Sequence, residues 1–314
     1  MSLFPRNLLE YAALQGVPVG PKSRVFVVDP ALGSDSNPGT SFKAPLLSLE
    51  AAYALCTTGY NDTILMVGGA TSNALAAHMH WSKSFTHLIG MSANLPGIGQ
   101  RCGVTGSAAA DLTFLIDFSG TGCIVRNIRF YNGGDADADA GAVIVSGARC
   151  EFTNCLFVGM QGGLTVAARA GSYSLKVTGQ ECLFDRCCIG YDSITRGAGE
   201  PPELWLATGA SKIFFRNCMI LTRSETITAS PVKIDAVSLG YVEFENCIFV
   251  NTSTNWAVAL TDCFTITATE THYIGMRGGN QLVGITGWAD TPTRMYQNLP
   301  APHNTGGTNV APTT

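Results

Sequence analysis

The chain is short of charge. Only 13% of its 314 residues are Asp, Glu, Lys or Arg, against roughly 25% in an average soluble chain. So long a chain with so few charges must have much of its surface covered, by stacking of internal repeats or by association with other chains. It has no Lys/Arg block and a formal net charge of −4, so nucleic-acid binding has no electrostatic basis. It has no apolar run of ~18 residues, which excludes a membrane-spanning helix. Residues 1–15 hold Arg6 and Glu10 and no leader-like apolar stretch, so the expectation is a protein made in cytosol without a secretory signal. Paired CxxC knuckles are missing and no His stands at ligand spacing from the cysteines, which argues against a zinc module. Phosphate loops and Ser/His/Asp elbows are missing too.

What is present is glycine, cysteine and a repeat. The 35 glycines exceed the usual ~7% and follow no collagen period, so they read as turn residues. The 11 cysteines include one close pair, Cys187-Cys188, and read as reduced, compact core residues. Five segments, 124–130, 151–157, 177–184, 214–220 and 242–249, share a strand, a polar corner and a second strand. Their corners fall at Asn127, Asn154, Glu181, Asn217 and Asn246, separated by 27, 27, 36 and 29 residues. One coil per interval, with loops of variable length, predicts an all-β right-handed parallel β-helix. A weaker repeat at 269–274 and earlier coils near 87–90 and 114–118 extend the series. Leucine-rich-repeat spacing is absent.

Stacked coils lie about 4.8 Å apart. Corner amides can therefore bond along a ladder, and Cys155, Cys182, Cys218 and Cys247 are expected to form one inward file. Residues 1–23 read as an N-terminal arm with two helical turns over 7–15. Residues 24–278 read as the β-helix with its cap, and 279–314 as a Thr/Pro-rich tail that cannot pack a core by itself. In the cap, Ser48 is the N-cap of a helix over 48–55 that hides the unpaired edge of the first coil.

Residues 27–40, Val-Val-Asp-Pro-Ala-Leu-Gly-Ser-Asp-Ser-Asn-Pro-Gly-Thr, are followed at 44–52 by Ala-Pro-Leu-Leu-Ser-Leu-Glu-Ala-Ala. Together they resemble the opening signature of pectate-lyase-like right-handed β-helix proteins, in which a Gly-x-Asp-x-x-x-Gly-Thr turn precedes the capping helix. With the repeats, the resemblance covers residues 24–278. It implies the fold and leaves function open, because the superfamily holds lyases, hydrolases, phage tailspikes and non-enzymatic virion proteins. Its lyases place Asp/Glu calcium ligands and a catalytic Arg or Lys on one outer face. Its galacturonan hydrolases carry Asn-Thr-Asp, Asp-Asp, Gly-His-Gly and Arg-x-Lys motifs, which this sequence lacks.

Candidate chemistry is sparse. Asp135, Asp137 and Asp139 form the one acidic cluster, and their alternate spacing puts three carboxylates on one side of an extended segment, where calcium could use them. The flanking Gly133, Gly134 and Gly141 favour a solvated loop instead. Asp117 with Asp111, or Asp185 with Asp192, are pairs that coil stacking could join for glycoside hydrolysis. His78 and His80 can share one strand face, while His87, His272 and His303 are scattered. Trp81, Trp205, Trp256 and Trp288 are sugar platforms or packing residues. Nothing singles out a catalytic, cofactor-binding or metal-binding residue, and no cofactor is expected.

These absences, with the arm and the tail, lead to the expectation of a structural virion protein of a tailed bacteriophage. It would be a capsid decoration or cement protein, made in host cytoplasm and acting without catalysis. It would sit on the capsid exterior as a homotrimer bound to the major capsid protein or other virion proteins. Two alternatives stay open. One is a tailspike or tail-fibre module that binds or cleaves surface polysaccharide, and the other is a polysaccharide lyase or glycoside hydrolase.

Overall fold

A computed structural model describes residues 7–92, 102–106, 111–134, 140–235, 240–266, 272–289 and 295–297. Among them, short strands build three parallel sheets, one of ten strands and two of eight, with neighbouring strands one coil apart. The fold is an all-β, right-handed parallel β-helix, as the repeat predicts. One coil shows the plan. Ile124–Arg126 lies in the ten-stranded first sheet, Arg129–Tyr131 in the second and Val143–Val145 in the third; Glu151–Thr153 then re-enters the first. Strands Gln281–Val283, Ile285–Ala289 and Met295–Gln297 continue the three sheets past residue 278.

Alternate strand residues point inward, and register stacks like on like. Phe152, Phe184, Phe215 and Phe244 form a column with ring centres 5.1, 4.9 and 4.9 Å apart. One continuous core runs from Phe26 to Met295. Internal stacking therefore covers much of the apolar surface.

The corners explain most of the cysteines, with one correction. Between first and second sheets, a single residue turns in the left-handed region: Asn127 (φ 58°), Asn154 (54°), Arg186 (52°), Asn217 (53°) and Asn246 (54°). The residue after each is buried: Ile128, Cys155, Cys187, Cys218 and Cys247. The expected file placed Glu181 and Cys182 where Arg186 and Cys187 stand. Cys182 belongs instead to the corner from third sheet to first. There Gly122 (φ 68°), Arg149 (57°) and Glu181 (57°) precede Cys123, Cys150 and Cys182. Both corners need a left-handed residue and then a small inward one, so the two files look alike in sequence. The amide ladder is present but interrupted. Asn154 Nδ2 donates to Asn127 Oδ1 at 2.8 Å, whereas Asn217 Nδ2 donates to Asp185 Oδ1 at 3.2 Å.

Helix α1 (Leu8–Leu14), capped by Asn7, lies on the outer face of the first sheet. Ala12 and Val17 pack on Val25, Leu65 and Ile89, and Arg126 donates to the Gln15 carbonyl. Helix α2 (Leu49–Leu55) is capped by Ser48 and buries Leu49 and Ala52 at the opening of the main core. Asp35, in the signature turn, accepts from the N–H of Leu47 and Ser48 and from Ser48 Oγ, which fixes the cap.

Candidate functional site

In the middle coils loop length is concentrated at one place. Two residues turn the first corner, whereas the connections from second to third sheet run over 159–174, 190–203 and 223–231. These connections wall one side of the third sheet's outer face. Inside the wall, Arg196 Nε and Glu203 Oε1 meet at 2.7 Å with both side chains 0% exposed. Arg196 also donates to the carbonyls of Ile194 (2.9 Å) and Tyr191 (3.0 Å), and its N–H reaches the Arg223 carbonyl at 2.7 Å. Glu203 Oε2 accepts from Ser174 Oγ at 2.6 Å. A buried ion pair persists when its remaining donors and lone pairs are met, and here two successive connections meet them while the third binds the Arg196 backbone.

On the outer side of the third sheet, Lys176, Trp205 and Lys233 occupy one register column. The Lys176 and Lys233 ammoniums lie 3.9 and 4.4 Å from the indole centre, well within cation–π range. The indole Nε1 donates to Asp235 Oδ2 at 2.6 Å, and Asp235 Oδ1 lies 3.4 Å from Lys233 Nζ. Beside Lys233 is a hollow of about 170 Å³ whose lining includes Glu200, Thr228, Ser230 and Thr265. Glu200 accepts from Thr228 Oγ1 and turns in the left-handed region, φ 49°, as the corner residues do. The chemistry on offer is the Lys233 ammonium, which can pair with a carboxylate, beside the Glu200 carboxylate, which can take a proton.

The residues singled out in the sequence are dispersed. Asp117 accepts from Ser146 Oγ at 2.6 Å and lies 3.8 Å from His80 Nδ1. Asp185 bonds Arg186 and Asn217 at the first corner, while Asp192 accepts from Thr252 Oγ1. His78 stacks on Phe114 at 4.2 Å and His80 meets the same ring edge-on. Trp81 and Trp288 are core residues at the two ends, and Trp256 is 61% exposed. His272 opens a strand of the first sheet. Asp135, Asp137, Asp139 and His303 lie outside the described residues. Among the described residues, no three His, Cys, Asp or Glu side chains converge as metal ligands. The sequence reading missed Lys176, Glu200, Lys233 and Asp235.

No family model and no curated protein matches the sequence. Solved structures do. Pectate lyase Pel9A is similar with a TM-score of 0.59 and 14% identity, over 88% of this chain and 69% of its own. Pectin methylesterase PemA from Erwinia chrysanthemi gives a TM-score of 0.56 and 14% identity over 87% of each chain. A pectin methylesterase in complex with hexasaccharide VII gives 0.55 and 16% over 87% of each. The fold is pectate-lyase-like. At such identity the likeness is one of fold.

These comparisons overturn the expectation of a non-enzymatic capsid decoration protein on the virion exterior. The similar structures are by name a pectate lyase and pectin methylesterases, and nothing connects the chain to a phage, a capsid or a cement role. The missing motifs are those of galacturonan hydrolases, so their absence did not exclude other catalysis.

Proposed function

We propose that this chain is an enzyme that cleaves an acidic, uronate-bearing polysaccharide laid across the outer face of the third sheet. The observation that carries this is the Lys176–Trp205–Lys233 column beside the Glu200 hollow. A uronate carboxylate paired with the Lys233 ammonium at the hollow has its charge offset, and the adjacent C–H becomes more acidic. Glu200 takes that proton and its electron pair forms a C=C bond. The next carbon's bond to the glycosidic oxygen breaks, and the leaving oxygen takes a proton from water. Hydrolysis instead needs two carboxylates facing one bond, about 5–9.5 Å apart, and Asp235 is engaged by Trp205 and Lys233. The likeness in fold to a pectate lyase supports the substrate class.

Incubation with polygalacturonate, alginate and a neutral glucan tests the proposal, read by ultraviolet absorbance of unsaturated uronates and by reducing ends. Both signals are expected on an acidic polymer. Reducing ends without absorbance would replace elimination with hydrolysis, and no signal on any polymer would remove the proposal.

A further inference from the structure

We infer that the outer face of the first sheet carries a second glycan site, built for an acidic sugar chain and separate from the third-sheet face. It shares the substrate class of the proposed function but neither its residues nor its chemistry. Over the later coils of this sheet lies an open hollow of about 520 Å³ lined by Phe214, Arg216, Tyr241, Glu243, Tyr273 and Arg277. Tyr241 and Tyr273 are register partners, 38% and 49% exposed. Phe214 meets Tyr241 edge to face at 5.4 Å. Such a row of aromatic side chains, apolar in body and polar at the tyrosine tip, suits the C–H faces and hydroxyls of sugars.

The charges suit an acid. Arg216 Nε lies 3.4 Å from Glu245 and Arg277 Nε 3.2 Å from Glu243, while the two arginine side chains are 47% and 62% exposed. A guanidinium held through Nε keeps its terminal donors for a second anion. Each guanidinium has one carboxylate partner, so what an acidic sugar meets is the exposed terminal donors of the two arginines. The arginines stand two coils apart, about 10 Å, so a chain carrying several carboxylates can engage both.

Gly275 supplies an independent observation. It is the register partner of Glu243, in a strand interior. Its φ is not in the left-handed region. An added Cβ would stand 3.5 Å from the Tyr273 ring and 3.6 Å from Glu243 Cγ, ordinary contact distances. Neither backbone nor packing calls for glycine here; glycine weakens a strand interior and often marks a place where a ligand or another backbone comes close. Its effect is to leave the hollow unfilled.

The test is affinity electrophoresis in polygalacturonate gels with the Lys176→Ala/Lys233→Ala protein, so that the third-sheet face is disabled whether or not it is catalytic. Retardation should persist. Adding Gly275→Val, or Arg216→Ala with Arg277→Ala, should weaken it about tenfold, with no effect in neutral dextran gels. Thermal melting verifies that each variant is folded, and the arginine pair carries the test if Gly275→Val is not. Absence of retardation in the double-lysine protein, or retardation that folded hollow variants leave unchanged, overturns the inference. Retardation behaving as expected without any cleavage by wild type would count against the catalytic proposal alone. Sedimentation velocity addresses the other occupant: an oligomer that the hollow variants dissociate would make this a subunit interface and overturn the inference.

Discussion

Arg196 and Glu203 meet at 2.7 Å with neither side chain reached by solvent, and they lace together the connections that wall the third sheet. Removing one partner strands the other's charge in the interior. Arg196→Ala should cost about 3–5 kcal/mol, whereas replacing both by apolar residues of similar volume should cost far less. Urea denaturation of the single and double variants measures this. Equal midpoints for wild type and Arg196→Ala would contradict it.

His87 is built in as a neutral ring. Its Nδ1 accepts from the Ile124 N–H at 3.2 Å, so Nε2 bears the hydrogen and faces Asn61 Oδ1 at 3.2 Å. Burial, and after it the Arg126 guanidinium, pushes its pKa from the usual 6.5 down to about 4. The unfolded chain therefore takes up this proton first. The contribution is fully present above the unfolded value and is lost as pH falls from 6.5 towards 4, up to about 3 kcal/mol in all. Denaturation midpoints across that window should fall in wild type and fall less in His87→Gln. Parallel slopes would show that another group is responsible.

All 11 cysteines are free and buried. Burial pushes the thiols of Cys56 and Cys188 up to about 12 and that of Cys102 to about 11, which suppresses the reactive thiolate. A maleimide at mildly alkaline pH should label the folded protein only as fast as it opens, and the denatured protein at every cysteine. Rapid labelling of Cys155, Cys187, Cys218 and Cys247 in the native state would refute the inward file.

Phe214 and Phe215 are chain neighbours on opposite sides of the same strand. Phe215→Ala removes one ring from the stacked column and should cost about 3–5 kcal/mol. Phe214→Ala, on the outer face, should cost under about 1 kcal/mol. Similar losses for the two would mean that the strand faces are misassigned.

The fold was legible because it repeats. Asn127, Asn154, Asn217 and Asn246 each mark a left-handed corner, and one such mark per coil is enough to count coils. Register was harder. Arg186 takes a corner that elsewhere belongs to Asn, and Glu181-Cys182 imitates the signature one corner too early. That slip hid the candidate site, because Lys176, Trp205 and Lys233 form a column only when strands 175–177, 204–206 and 232–234 are aligned. The signal was available: each residue is the centre of an apolar-x-apolar triplet, Leu-Lys-Val, Leu-Trp-Leu and Val-Lys-Ile. Glu200 lies in a long connection, whose path is set by the buried Arg196–Glu203 pair, and no periodicity reports such a contact.

The most direct measurement is the initial rate of unsaturated-product formation from polygalacturonate or alginate by wild type, Lys233→Ala and Glu200→Gln. A measurable wild-type rate that falls about a hundredfold or more in each variant, with folding intact, is the predicted result. Rates unchanged by both substitutions would place the chemistry elsewhere and contradict the account.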